Sequence, residues 1–194
     1  MAERNALIYG RAWPMFPLVS LEETLRLAGL SIVHPPTQLV MALDSQGDQF
    51  SLSPDDLRHA VSQGNCVSFQ WWFTDEHDVY CRIRGVGSVS VVELGMEGCG
   101  LAELRSIRSA LEGRFGSSDE SSVGLVFDPQ GVTEDYEWDR FFVHGEQLDA
   151  AAFSRGFPEV LGVKSCDFER VGYLPSDAAV SIRGNLVICS AGLG

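Results

Sequence analysis

The sequence predicts an α+β fold, an antiparallel sheet of meander and hairpins packed against a few short amphipathic helices. Three observations carry this. Between Cys66 and Val91, apolar and polar residues alternate in three successive runs, the period of strands. From Leu101 to Phe115 the apolar residues recur at helical spacing. Near the end, Gly184-Asn185 separates two further strand-like runs, as a two-residue hairpin turn does. With 194 residues, 45% of them hydrophobic, the chain is long enough to bury a core without staples.

Taken in order, Ser20 with Glu23 three residues on reads as a capping box opening a helix from Leu21 to Ala28, closed by Gly29. Pro35 and Pro36 are expected to keep the next stretch extended. A hairpin then pairs Leu39 to Leu43 with Gln49 to Leu52 about the turn Asp44 to Asp48. Ser53-Pro54-Asp55-Asp56 is a helix start, with a cap, a proline at the first helical position and carboxylates on the positive end of the dipole. Gly64 ends that helix.

The meander at 65–94 follows. Folding about Thr74 to Asp78 sets Trp72 opposite Tyr80 and Trp71 opposite Cys81. Phe69, Trp71, Phe73, Val79, Cys81, Ile83, Val89 and Val91 then form an inner face. Gln70, Trp72, Tyr80, Arg82 and Arg84 form the outer one. Gly85-Val86-Gly87 joins two strands and so lacks the strand-to-helix context of a dinucleotide site. Leu101, Leu104, Ile107 or Arg108, Leu111 and Phe115 place a helix at 101–115 across the inner face.

The Ser- and acid-rich stretch 117–122 reads as a linker. It divides an α+β core, 1–116, from 123–194, which is a second α+β part or a continuation of the same domain. Val123 to Phe127 reads as a strand, and Glu134 to Val143 as a helix or tight loop. Gln147 to Ser154 reads as a short helix, while Val160 to Lys164 decides neither way. Ala179 to Arg183 and Leu186 to Ser190 form the last hairpin. Asp44-Ser45-Gln46-Gly47 and Asp128-Pro129-Gln130-Gly131 each follow a strand, which raises a decayed repeat as one reading.

A net charge of -13 repels a phosphate backbone, so nucleic acid is not an expected partner. Lys164 is the only lysine against thirteen arginines, the bias of a GC-rich coding sequence. Five cysteines without a Cys-x-x-Cys pair suggest buried thiols instead of a disulfide framework. The opening stretch is broken by Pro14 and Pro17 and does not read as a signal peptide, and no apolar run is long enough to span a membrane. A cytoplasmic location is expected.

Four features carry candidate chemistry. Asp75, Glu76, His77 and Asp78 could ligate a divalent ion, although a solvated hairpin loop explains them as well, and no cofactor is expected. Cys99, before the helix at Leu101, could be a low-pKa thiolate, with Glu97 beside it opposing this. Glu134, Asp135, Glu137 and Asp139 surround Tyr136 and Trp138. They suit acid-base chemistry, recognition of a basic partner, or simply a solvated helix face. On the outer face, Trp72, Tyr80, Arg82 and Arg84 are either a contact surface or a layer covered by the second half of the chain.

Phe69-Gln70-Trp71-Trp72-Phe73, Asp78-Val79-Tyr80-Cys81-Arg82 and the run from Val126 to Asp139 resemble small acidic bacterial, and specifically actinobacterial, toxin-immunity proteins. That resemblance implies a non-enzymatic inhibitor of a basic toxin or effector protein. Two other classes stay open: an enzyme or binding protein for a small metabolite or metal that uses surface carboxylates, and a subunit of a larger cytoplasmic assembly.

Overall fold

The computed structural model describes residues 4–11, 18–116, 122–148, 150–153, 155–183 and 185–191. Ten strands form one antiparallel sheet: β1 (Asn5–Arg11), β2 (Val40–Leu43), β3 (Gln49–Leu52), β4 (Val67–Trp72), β5 (Asp78–Val86), β6 (Val89–Gly95), β7 (Ser122–Asp128), β8 (Val160–Lys164), β9 (Ala179–Arg183) and β10 (Leu186–Ser190). Their order is β3-β2-β4-β5-β6-β1-β7-β8-β10-β9. The helices are α1 (Leu18–Leu27), α2 (Pro54–Ser62), α3 (Leu101–Gly116) and the short α4 (Trp138–Phe142). This is the expected α+β class. None of these helices is long and apolar enough to cross a membrane.

The central strand β1 has no counterpart in the sequence reading. Ala6 and Ile8 face one side and Tyr9 the other, all buried, because β1 lies between β6 and β7 with both faces covered. Such a strand shows apolar residues on both faces and loses the alternation that marks a half-exposed one. β7 joins the same sheet directly beside β1. Of the expected linker, Ser122 already belongs to β7, and 117–121 lie outside the described residues.

On one face, Leu21 and Leu25 of α1, Leu57 and Val61 of α2, and Leu104, Ile107, Leu111 and Phe115 of α3 pack on Phe69, Trp71, Val79, Cys81 and Ile83. Each large apolar side chain buried there contributes about 1.5–3 kcal/mol. On the other face, Trp138, Phe141, Leu148 and Phe153 cover Tyr9, Val91, Val126, Leu161, Val163 and Val187. Strand β5 projects Tyr80 and Arg82 into solvent beyond that second layer.

Several local expectations are corrected. The first helix starts earlier, at Leu18, so Ser20 lies within its first turns instead of capping it; its carbonyl accepts from Thr24 Oγ1 at 2.8 Å. Pro35 and Pro36 enter a turn in which Gln38 N donates to His34 O at 2.9 Å, instead of extending the chain. The β4–β5 register is two residues from the one expected: Tyr80 faces Gln70, Cys81 faces Phe69, and Trp72 faces Asp78. A shift of two preserves which face each side chain takes, so β4 and β5 keep their assigned faces. In β6, however, Val92 and Leu94 face the helices, while Val91 belongs to the opposite layer and Val89 packs against it. Leu101, placed on the buried stripe of α3, is exposed.

The helix expected from Gln147 to Ser154 is a 3-10 turn at Ala150–Phe153, with Leu148 bridging to Val171, while two other boundaries hold for physical reasons. Ser53 accepts from Asp56 N at 3.1 Å while its own N–H donates to Asp56, completing a capping box for α2. After α1, Leu30 N donates to Leu25 O and Gly29 N to Arg26 O, with Gly29 at φ +91°, a left-handed helix end that glycine adopts without strain.

Candidate binding cleft

A cleft of about 530 Å³ opens where the covered half of the outer face meets the open half. Strands β5, β6 and β1 supply Tyr80, Arg84, Glu93, Leu7 and Tyr9, and the loop after β7 supplies Thr133, Glu134, Tyr136, Trp138 and Asp139. That loop is held by Asp128, which the sequence marks only as a turn residue. The buried Asp128 carboxylate accepts from Thr133 N and Thr133 Oγ1, both at 2.7 Å, and from Val132 N at 3.1 Å. Thr133 Oγ1 in turn accepts from Trp138 Nε1 at 3.3 Å. One carboxylate at the end of β7 thus sets the position of the wall that carries Trp138 and Asp139.

The floor is an ion-pair network. Arg84 donates to Asp139 through Nη1 (2.7 Å) and Nη2 (3.1 Å), and to Glu93 Oε1 through Nε at 2.7 Å. Tyr9 donates its hydroxyl to Asp139 Oδ1 at 2.8 Å. Burial alone would push the Asp139 carboxyl up, but the hydrogen bonds from Arg84 and Tyr9 outweigh it and hold the group below the ordinary carboxylate range. Burial, then the Asp139 charge, drives the Tyr9 phenol far above its usual value. Burial opposes the Arg84 charge, yet Asp139 and Glu93 raise its pKa.

Around this floor the lining holds four carboxylates, Glu93, Glu97, Glu134 and Asp139, against two guanidiniums, Arg4 and Arg84, and Arg155 reaches Glu134 at 2.7 Å from outside the lining. Behind it, the buried Oδ1 of Asn5 has no hydrogen-bond donor. With Arg155 counted, the carboxylates still outnumber the guanidiniums by one, and the lining suits a cationic or donor-rich group.

Of the residues singled out from the sequence, Tyr80, Arg84, Glu134, Tyr136, Trp138 and Asp139 converge on this cleft. Arg82 lies outside the lining, exposed and 3.8 Å from Glu93. Asp135 and Glu137 are exposed, Asp135 being paired with Arg155 at 2.7 Å. Trp72 is 7% exposed and lies against His34, with ring centroids 4.4 Å apart, away from the cleft. Trp138, 4% exposed, is a packing residue whose indole forms the cleft wall. Tyr80, 39% exposed, is the most accessible aromatic of the cleft. Neither Tyr9 nor Glu93 stands out in the sequence: Tyr9 is brought here by the pairing of β1 with β6 and β7, and Glu93 by the pairing of β6 with β5.

The proposed cation loop does not converge as drawn. Asp75 is exposed, and Asp78 accepts from Gln70 Nε2 at 2.9 Å. His77 turns instead toward Glu103, Nδ1 to Oε1 3.1 Å, beside Cys99. Cys99 is buried, and burial with the charges of Glu103 and Glu97 pushes its thiol up to about 11, the reverse of a reactive thiolate. Cys81 and Cys189 are likewise buried thiols, while Cys66 and Cys166 are exposed.

Fold and site define an α+β protein with a carboxylate-rich cleft over the middle strands of its sheet. No known protein family and no curated protein matches the sequence. Among solved structures the chain is similar to a Pseudomonas aeruginosa T6SS protein, with 14% identity and a TM-score of 0.49. The match covers 99% of this chain and 66% of that one.

Proposed function

We propose that this protein is an acidic binding module for a basic protein partner, of the toxin-immunity kind, and that the cleft receives a basic side chain of that partner. The observation that carries this reading is the excess of carboxylates around an aromatic-walled cleft beside the exposed Tyr80. The net charge of -13 steers such a partner from a distance, and Tyr80 supplies contact area at low entropic cost. Arg84 and Asp139 serve as a rigid floor, and Glu97, Glu134 and Tyr136 as the contact rim.

The test is a pull-down from lysate of the source organism at low and high salt, using wild type, Tyr80→Ala and Glu97→Lys. The expected result is one stoichiometric basic protein, retained at low salt and depleted at high salt. Loss of Tyr80 should weaken binding by about 2 kcal/mol, roughly thirtyfold. Capture that ignores salt and both substitutions overturns the reading. A second reading rests on the size of the cleft, which falls in the range of small-ligand sites. A rise in melting temperature with a cationic metabolite, and no protein captured, favours that one.

A further inference from the structure

We propose that His77, Cys99 and Glu103 form a site for a zinc-like divalent metal that ties the loop between β4 and β5 to the start of α3. The three residues come from separate places: His77 from the hairpin loop, Cys99 from the turn after β6, and Glu103 from the first turn of α3. Each offers one ligand atom, and these atoms lie within 4.8 Å of one another. A thiolate, an imidazole and a carboxylate are the donor types that zinc takes together, with one position left for water or another ligand.

The scaffold already holds the donors nearly in place. Glu103 is fixed at its other oxygen, where Oε2 accepts from Gly100 N at 2.7 Å, leaving Oε1 directed at His77. The His77 backbone closes its loop by accepting from Phe73 N at 2.9 Å and Thr74 N at 3.3 Å, and its ring packs on Phe73 at 5.3 Å between centroids. Cys99 is anchored through Cys99 N to Met96 O at 3.2 Å and Arg4 Nη1 to Cys99 O at 3.4 Å. Ligand atoms around a tetrahedral zinc stand roughly 3.5 Å apart. The widest separation here thus closes by about 1 Å, a movement within reach of a surface loop.

A second observation points to a missing partner. The His77 Nε2 atom is buried and has no hydrogen-bond partner, and such a group is costly unless something meets it. The charges acting on Cys99, from Glu103, Glu97 and Asp78 against Arg4, give a negative environment that favours a divalent cation. Binding displaces the thiol proton to solvent and forms the metal–sulfur bond, with no redox step.

The probe is Co²⁺ added to EDTA-treated full chain, followed by competition with Zn²⁺. One equivalent should produce a thiolate-to-cobalt charge-transfer band that Zn²⁺ abolishes, and Zn²⁺ should raise the melting temperature. Cys99→Ser should remove the band. His77→Gln, at a half-exposed position that tolerates change, should weaken metal affinity about tenfold or more while leaving the fold intact. Absence of any band overturns the proposal. So does a band that survives Cys99→Ser and vanishes in the Cys66→Ser, Cys166→Ser double variant, which would assign the metal to the exposed thiols.

Discussion

The guanidinium of Arg84 grips the carboxylate of Asp139 at two points, Nη1 to Oδ2 2.7 Å and Nη2 to Oδ1 3.1 Å. It joins β5 to the loop layer that covers the outer face, and Tyr9 of β1 completes the contact from beneath. Both charges are largely withdrawn from water, and removing Asp139 leaves Arg84 with Glu93 as its one remaining carboxylate partner among the described residues. Asp139→Asn is expected to cost about 2 kcal/mol in urea unfolding, less than for a fully buried pair because about a fifth to a quarter of each side chain still meets solvent.

The same carboxylate sets an acid limit. Its folded pKa is depressed, so the stability it contributes is complete above the ordinary value near 3.9 and is lost as pH falls through the folded value. The stability gap between wild type and Asp139→Asn should be full at pH 7 and close below about pH 4. Urea midpoints measured from pH 7 to pH 3 check this; a gap that stays constant contradicts it.

Tyr9 sets the corresponding alkaline behaviour. With its phenol pKa raised in the folded state, its contribution is complete below the ordinary tyrosine value of about 10 and drains away above it. In an ultraviolet titration of the four tyrosines, one phenol should ionise only together with unfolding. Tyr9→Phe should lack that delayed step.

Gly124 is required by a close approach, because a Cβ there would overlap the Phe142 ring. Phe142 is stacked on Tyr9 at 4.3 Å, so moving its ring away disturbs that contact. Gly124→Ala should cost about 2 kcal/mol or more, and adding Phe142→Leu should recover part of the loss. Thermal melts of the single and double variants measure both effects.

At the end of the sheet, β9 is exposed along its length, with Ile182 74% accessible on an unpaired edge. Edges of this kind recruit other strands. Ile182→Lys should leave unfolding stability within about 0.5 kcal/mol of wild type and lower the aggregated fraction on sedimentation.

What the sequence discloses depends on where the information lies along the chain. The hairpins, the cap at Ser53 and the stripe of α3 are local signals, and they match the structure. The two-residue register difference in β4–β5 arises in a turn whose length the alternation cannot fix, since both registers place Trp71 inside and Tyr80 outside. The cleft was half legible: Arg84, Tyr136 and Asp139 stood out by type. Tyr9 meets them only through pairings that span 80 residues or more, between β1 and its neighbours, whereas Glu93 reaches Arg84 across the adjacent β5–β6 hairpin. Trp72 and Trp138 show the limit of residue type as a guide, since aromatic side chains that suit a contact surface suit a core equally well.

The position of β1 also bears on how the chain is made. Asn5 pairs with Gly95 on one side and Asp128 on the other, so the ribosome delivers this apolar strand well before either neighbour exists. The sheet cannot close around its own middle until more than half of the 194 residues have been synthesised. During that interval Ala6, Ile8 and Tyr9 have no strand to shelter them, which makes nascent chains the vulnerable species and long-range closure the slow step of folding. Yield of this protein in a cell should therefore depend on translation speed and chaperone supply more than on the stability of the finished fold.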